Sequence, residues 1–110
     1  MDCKYYKLEI FIPTDHLDKM RECLKEADAG HLGNYDCALS YSPVISTWRP
    51  LEGSNPYIGK VGKIHMGEEY KIEVAVAAEK LDMTLDAIKR CHPYEEPGIN
   101  VIPLYRIGLF

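Results

Sequence analysis

The chain has 110 residues, 46% of them hydrophobic and 27% charged, which is the size and make-up of a single globular domain over 1-110 rather than a disordered segment. Thirteen lysines and arginines stand against seventeen aspartates and glutamates, a formal charge of -4 with no basic run, so nucleic acid is excluded as an expected partner. No stretch approaches the roughly 20 apolar residues that span a bilayer, and the opening Met1-Asp2-Cys3-Lys4-Tyr5-Tyr6 does not read as a secretory leader, so no membrane partner and a cytoplasmic location are expected.

Tyr6, Leu8, Ile10 and Ile12 alternate with Tyr5, Lys7, Glu9 and Phe11, the period of two of a strand that Pro13 ends. Thr14 or Asp15 then caps a helix whose Leu17, Met20, Leu24 and Ala27 share one face, with Gly30 as its stop. A less regular strand is expected around Tyr35 to Tyr41. Residues 42–65 carry Pro43, Pro50, Gly53, Pro56, Gly59 and Gly62 and read as a long irregular arm, with a short hairpin through Ile45, Thr47 and Trp48 inside it. Connections longer than about a dozen residues in a compact domain are usually functional or mobile.

Alternation returns with Tyr70, Ile72, Val74, Val76 and Ala78 opposite Lys71, Glu73, Ala75 and Ala77. A second helix begins near Asp82, with Leu81, Leu85 and Ile88 as its apolar stripe and Lys89 and Arg90 at its negative end. Pro93 stops it at Cys91, because the residue before a proline is pushed out of the helical region. The last strand runs from about Gly98 to Tyr105, and Pro103, which removes a ladder donor, assigns it to an edge. The order β-α-β, arm, β-α-β is the ferredoxin-like βαββαβ pattern, an α+β fold with two helices on one face of an antiparallel sheet. Right-handed crossovers give it the strand order 4-1-3-2.

Cys3, Cys23, Cys37 and Cys91 are scattered, with no Cys-x-x-Cys pair, and read mostly as buried thiols rather than a disulfide or zinc framework. The usable chemistry gathers instead in Cys91-His92-Pro93-Tyr94-Glu95-Glu96-Pro97, where an imidazole, a phenol and two carboxylates are pinned between two prolines. In the structural reading His92 and Tyr94 cap a helix and pack a corner. In the functional reading they face a ligand, and His92 with Glu95 are the candidates for holding a divalent metal ion. No nucleophile-base signature, phosphate loop or metal motif accompanies them, so no catalytic residue is assigned.

The run His92-Pro93-Tyr94-Glu95-Glu96-Pro97-Gly98-Ile99 resembles the His-Pro-Tyr-Glu-x-Pro segment of CutA, the small divalent-cation-tolerance proteins related in fold to PII signalling proteins. A wider resemblance covers nearly the whole chain. It is to the PII/CutA-like domain inserted in many bacterial Ngg-interacting-factor-three-like proteins, whose flanking halves carry a dinuclear metal site. Its signatures here are Gly30-His31-Leu32-Gly33-Asn34-Tyr35 with Cys37, the run from Arg49 to Gly59, the strand from Glu69 to Glu73, and His92-Pro93-Tyr94-Glu95.

That resemblance implies a PII/CutA-like homo-oligomer, a trimer as in PII and CutA, with ligands lodged between subunits as in the PII branch. Its ligand-binding or interface candidates are His92, Tyr94, Glu95, His31, Asn34, Tyr35, Glu52, Asn55 and Tyr57. Two departures bear on function. The flanking metal-binding halves are missing from this sequence, so their suspected hydrolase activity is not expected to carry over. Ser42-Pro43-Val44-Ile45-Ser46-Thr47-Trp48 replaces a glycine-rich turn, which implies a stiffer arm.

The topology sets His31 and His92 at opposite corners of the sheet, about 20 Å apart given strand spacings of about 4.8 Å and strands about 17 Å long. The arm leaves the sheet at the His92 end, so Glu52, Asn55 and Tyr57 are expected beside it. An exposed edge strand together with Trp48, Tyr57 and Ile58 favours association. The expected function is a non-enzymatic regulatory module that senses a small ligand or metal ion. The alternatives are a structural or protein-interaction domain, and a small hydrolase-like enzyme using His92 and Glu95.

Overall fold

A computed structural model describes residues 3–108. Strand β1, Tyr5–Pro13, runs into a 3-10 turn at Thr14–His16 and helix α1, Leu17–Glu26. Strands β2, Leu39–Trp48, and β3, His65–Ala77, follow; a second 3-10 turn, Ala78–Lys80, leads into helix α2, Leu81–Cys91, and strand β4 is Ile99–Leu104. The four strands form one antiparallel sheet in the order β2-β3-β1-β4, which is the expected 4-1-3-2 read from the other edge. Pro103 sits on edge strand β4, opposite Tyr6, where a missing backbone donor faces no further strand.

The alternation read from the sequence is the core. Leu8, Ile10 and Ile12 of β1 and Ile72, Val74 and Val76 of β3 are buried on one sheet face against Met20 and Leu24 of α1 and Ile88 of α2. Each such side chain contributes roughly 1.5–3 kcal/mol on leaving water. Thr84 of α2 is buried in the same layer, and its hydroxyl has no hydrogen-bond partner among the described residues.

Several boundaries differ from the sequence reading. Neither Thr14 nor Asp15 caps α1 with its side chain; the chain leaves Pro13 directly into the 3-10 turn. The stop is not Gly30. Asp28, at φ 63°, ends α1 in a Schellman motif, its N–H reaching the Lys25 carbonyl at 3.0 Å and that of Ala29 the Leu24 carbonyl at 2.9 Å. Asp28 tolerates this conformation because its carboxylate is bound by His31 and Lys80. Gly30 serves the next junction. At φ 72° it donates to Ala75 O at 2.8 Å, and a Cβ there would lie 2.8 Å from Ala38 O.

The second strand starts four residues later than expected and takes in 42–48, so the first part of the arm is regular sheet, paired from Leu39↔Val74 to Trp48↔His65. Only 49–64 is irregular. Because β1 pairs with β3 no further than Pro13↔Glu69, the ribbon of 45–48 with 65–68 overhangs the rest of the sheet. The cysteines are corrected too: all four are only partly buried. The Cys23 thiol, which donates to Ala87 O at 3.2 Å, is nevertheless pushed up to about 12 by burial and by neighbouring Cys91.

Candidate functional site

Pro93 forces His92 out of the helix, and it adopts φ -78° and ψ 135° as the C-cap of α2 while its N–H still reaches Ile88 O. That turn throws the imidazole back under the sheet end. His92 is 6% exposed, and both ring nitrogens are engaged. Nδ1 accepts from the Tyr94 backbone N–H at 3.1 Å, so the proton sits on Nε2, which donates to Phe11 O at 2.7 Å. Burial holds the imidazole below its ordinary value, partly opposed by the Phe11 hydrogen bond and by Glu69. A neutral ring with both nitrogens committed to the backbone has no lone pair left for a metal ion and no free proton to transfer.

Tyr94 packs its ring against His92, tilted by 50° at 4.9 Å between ring centroids. Its phenol donates to Glu69 at 2.7 Å, and burial followed by that carboxylate raises it well above its ordinary value. Glu69 is the least expected member. It belongs to the sheet face opposite Tyr70 and Ile72 and is 3% exposed, with no ion pair among the described residues.

The loop after β2 folds back over this corner. Trp48 lies 5.7 Å from Tyr94 and 4.7 Å from His65, and Tyr57 lies 6.0 Å from Tyr94 with His16 edge-on at 6.1 Å. The loop is tied down twice. The Trp48 indole N–H donates to Ile58 O at 3.3 Å, and the Asn55 backbone N–H donates to a Glu95 carboxylate oxygen at 3.0 Å. Between loop and corner opens a cleft of about 940 Å³, floored by Phe11 and Glu69, walled by Trp48, Tyr57 and Tyr94, and rimmed by Glu52, Glu95, Glu96 and Arg49. That volume is within the range of small-molecule sites.

Of the residues singled out from the sequence, Tyr94, Glu95, Glu52 and Tyr57 line this cleft, Asn55 ties its loop to Glu95, and His92 braces it from behind. His31, Asn34 and Tyr35 do not join them. They lie beyond α1, where His31 pairs with Asp28, Tyr35 is 77% exposed, and Leu32 and Tyr35 close a tight turn. His31 thus bonds an acidic side chain at the opposite end of β1 from His92. The metal reading of His92 with Glu95 meets the same obstacle: the imidazole is spent, and among the described residues no three His, Cys, Asp or Glu side chains gather as ligands. Phe11 and Glu69 also line the cleft and were not expected there, while Trp48 was read only as favouring association and Glu96 only as one of the two carboxylates of the 91–97 run. For Glu69 the available signal was a carboxylate at the mouth of the most apolar strand.

Sheet order, helix placement and the His92 corner define a ferredoxin-like α+β domain of the CutA type. With the CutA of Archaeoglobus fulgidus, described as a periplasmic divalent cation tolerance protein, the chain shares a TM-score of 0.69 over 93% of its length and 85% of that chain, at 21% identity. The chain is a CutA-like domain resembling the one within NIF3-related proteins: a Bacillus cereus protein related to NIF3 superposes with a TM-score of 0.83 over 97% of this chain at 32% identity. In sequence it is 43% identical over 103 residues to a GTP cyclohydrolase 1 type 2 homolog of Halalkalibacterium halodurans. The match takes in 94% of this chain and 28% of that relative, and 27% of the Bacillus cereus protein, so the chain corresponds to little more than a quarter of either. No family model matches.

Proposed function

We propose that the chain is a non-enzymatic, cytoplasmic regulatory module that binds a small molecule in the cleft between the 49–58 loop and the His92 corner, and that it works as a homo-oligomer. One observation carries this: His92 is a brace with no free nitrogen, and what it braces is a preformed cleft with three aromatic walls. A ring fixed in this way supports binding and leaves acid-base chemistry without its main candidate, whatever reaction the relatives' name describes. The overhang and the end of the loop beside it support association, since Ile45 and Met66 of the ribbon and Ile64 of the loop are 71%, 68% and 73% exposed. A trimer is the form that the CutA resemblance favours.

A ligand-observed NMR screen of a small fragment library against the chain tests the binding reading. Hits that saturate, and that are weakened by Tyr57→Ala without loss of fold, support it. A screen in which no hit depends on Tyr57 removes the cleft as a binding site.

A further inference from the structure

Resting on the reading of this cleft as a binding site, we propose that its ligand is a small organic cation: an ammonium or guanidinium group on a flat apolar body, charged end toward Glu69 and body against Trp48 and Tyr57. Glu69 is 97% buried, yet its one hydrogen bond is from the neutral phenol of Tyr94, and no lysine, arginine or histidine pairs with it among the described residues. A buried carboxylate without a counter-charge is costly, and a cation delivered through the cleft removes that cost.

The walls agree with the floor. Trp48, Tyr57 and Tyr94 present aromatic rings, whose faces attract cations and whose flat surfaces pack on planar apolar groups. The lining residues include four glutamates and one arginine, a formal -3, and Arg49 is exposed at the rim. An anionic ligand would meet that field unfavourably. A bare divalent cation fits poorly as well, since it seeks about six oxygen ligands and finds one buried carboxylate among rings.

Calorimetric titration of the full chain with phenethylammonium, benzamidinium, benzyl alcohol and 3-phenylpropionate is the test. Saturable binding of the two cations, mutual competition between them, and weaker or no binding of the alcohol and the carboxylate are expected. Glu69→Gln should weaken cation binding at least about tenfold, the loss of one charge-assisted contact. Tyr57→Leu, which keeps the apolar bulk and removes the ring face, should weaken the cations several-fold and spare benzyl alcohol; it decides the matter if Glu69→Gln does not fold. Equal binding of all four probes, or cation binding unchanged in the folded variants, overturns the cation proposal and leaves the cleft reading standing. If no cation binds while the fragment screen still yields Tyr57-dependent hits, the proposal fails alone; if neither binds, both fall.

Discussion

His92 and Phe11, 81 positions apart, are joined by a hydrogen bond of 2.7 Å from the imidazole Nε2 to the Phe11 carbonyl oxygen. It fastens the end of α2 to the end of β1, and sets the corner from which Tyr94 faces the cleft.

Removing the ring therefore costs stability. His92→Ala leaves the Phe11 carbonyl and the Tyr94 N–H without their partner and opens a void, a loss of roughly 2–4 kcal/mol. Thermal denaturation should show a midpoint lower by about 10 °C or more, since 1 kcal/mol moves a domain of this size by roughly 4–8 °C. An unchanged midpoint would return His92 to a functional role.

The same burial makes stability depend on pH. Burial lowers the His92 value from the ordinary 6.5, so between the folded and unfolded values the unfolded chain binds the extra proton. The contribution is full above about pH 6.5 and is lost as pH falls through the folded value, with a slope of up to about 1.4 kcal/mol per pH unit. Urea titrations from pH 8 to 5 should show this slope in the wild type and a flatter one in His92→Gln. Parallel curves would show that His92 is not the group responsible.

Tyr94→Phe removes the one side-chain hydrogen bond that Glu69 has among the described residues and leaves its buried carboxylate without that donor. We expect a loss of about 1–3 kcal/mol. Glu69→Gln with Tyr94→Phe should recover part of it, because the neutral amide is cheaper to bury unbonded. A double-mutant cycle by urea denaturation measures the coupling, and strict additivity would mean that the pair is energetically inert.

Thr84 offers a gain instead. Its hydroxyl is buried without a partner among the described residues, and valine has nearly the same shape. Thr84→Val should raise stability by about 1 kcal/mol, read as a higher urea midpoint at constant slope. A lower midpoint would reveal a bond to that hydroxyl.

Ile45 and Met66 on the overhanging ribbon, with Ile64 of the loop leading into it, are exposed apolar side chains. Light scattering after size exclusion should give a multiple of the 12.6 kDa chain mass, a trimer in the proposed form, and Ile45→Glu should shift it toward monomer. A wild-type monomer at micromolar concentration removes the oligomer.

Much of this architecture is local information. The period of two in 6–12 and 70–76 marks the core faces of β1 and β3, Pro93 stops α2 at Cys91, and Pro103 marks an edge, because each acts through the covalent chain within one or two residues. Helix α1 escaped that reading at its end, since an aspartate with two cationic or imidazole partners replaced the usual glycine.

The site is another matter. Nothing in the run from Cys91 to Pro97 says that both His92 nitrogens will be taken by backbone groups, or that Tyr94 will find a carboxylate 25 positions away. Those pairings arise when β1, β3 and the 49–64 loop are brought to one end of the sheet, and burial there decides which polar groups stay open to a ligand. Sequence periodicity reports which face of an element meets the core; the corner at Phe11 and Glu69, faced by a segment without periodicity, is decided only by the tertiary fold.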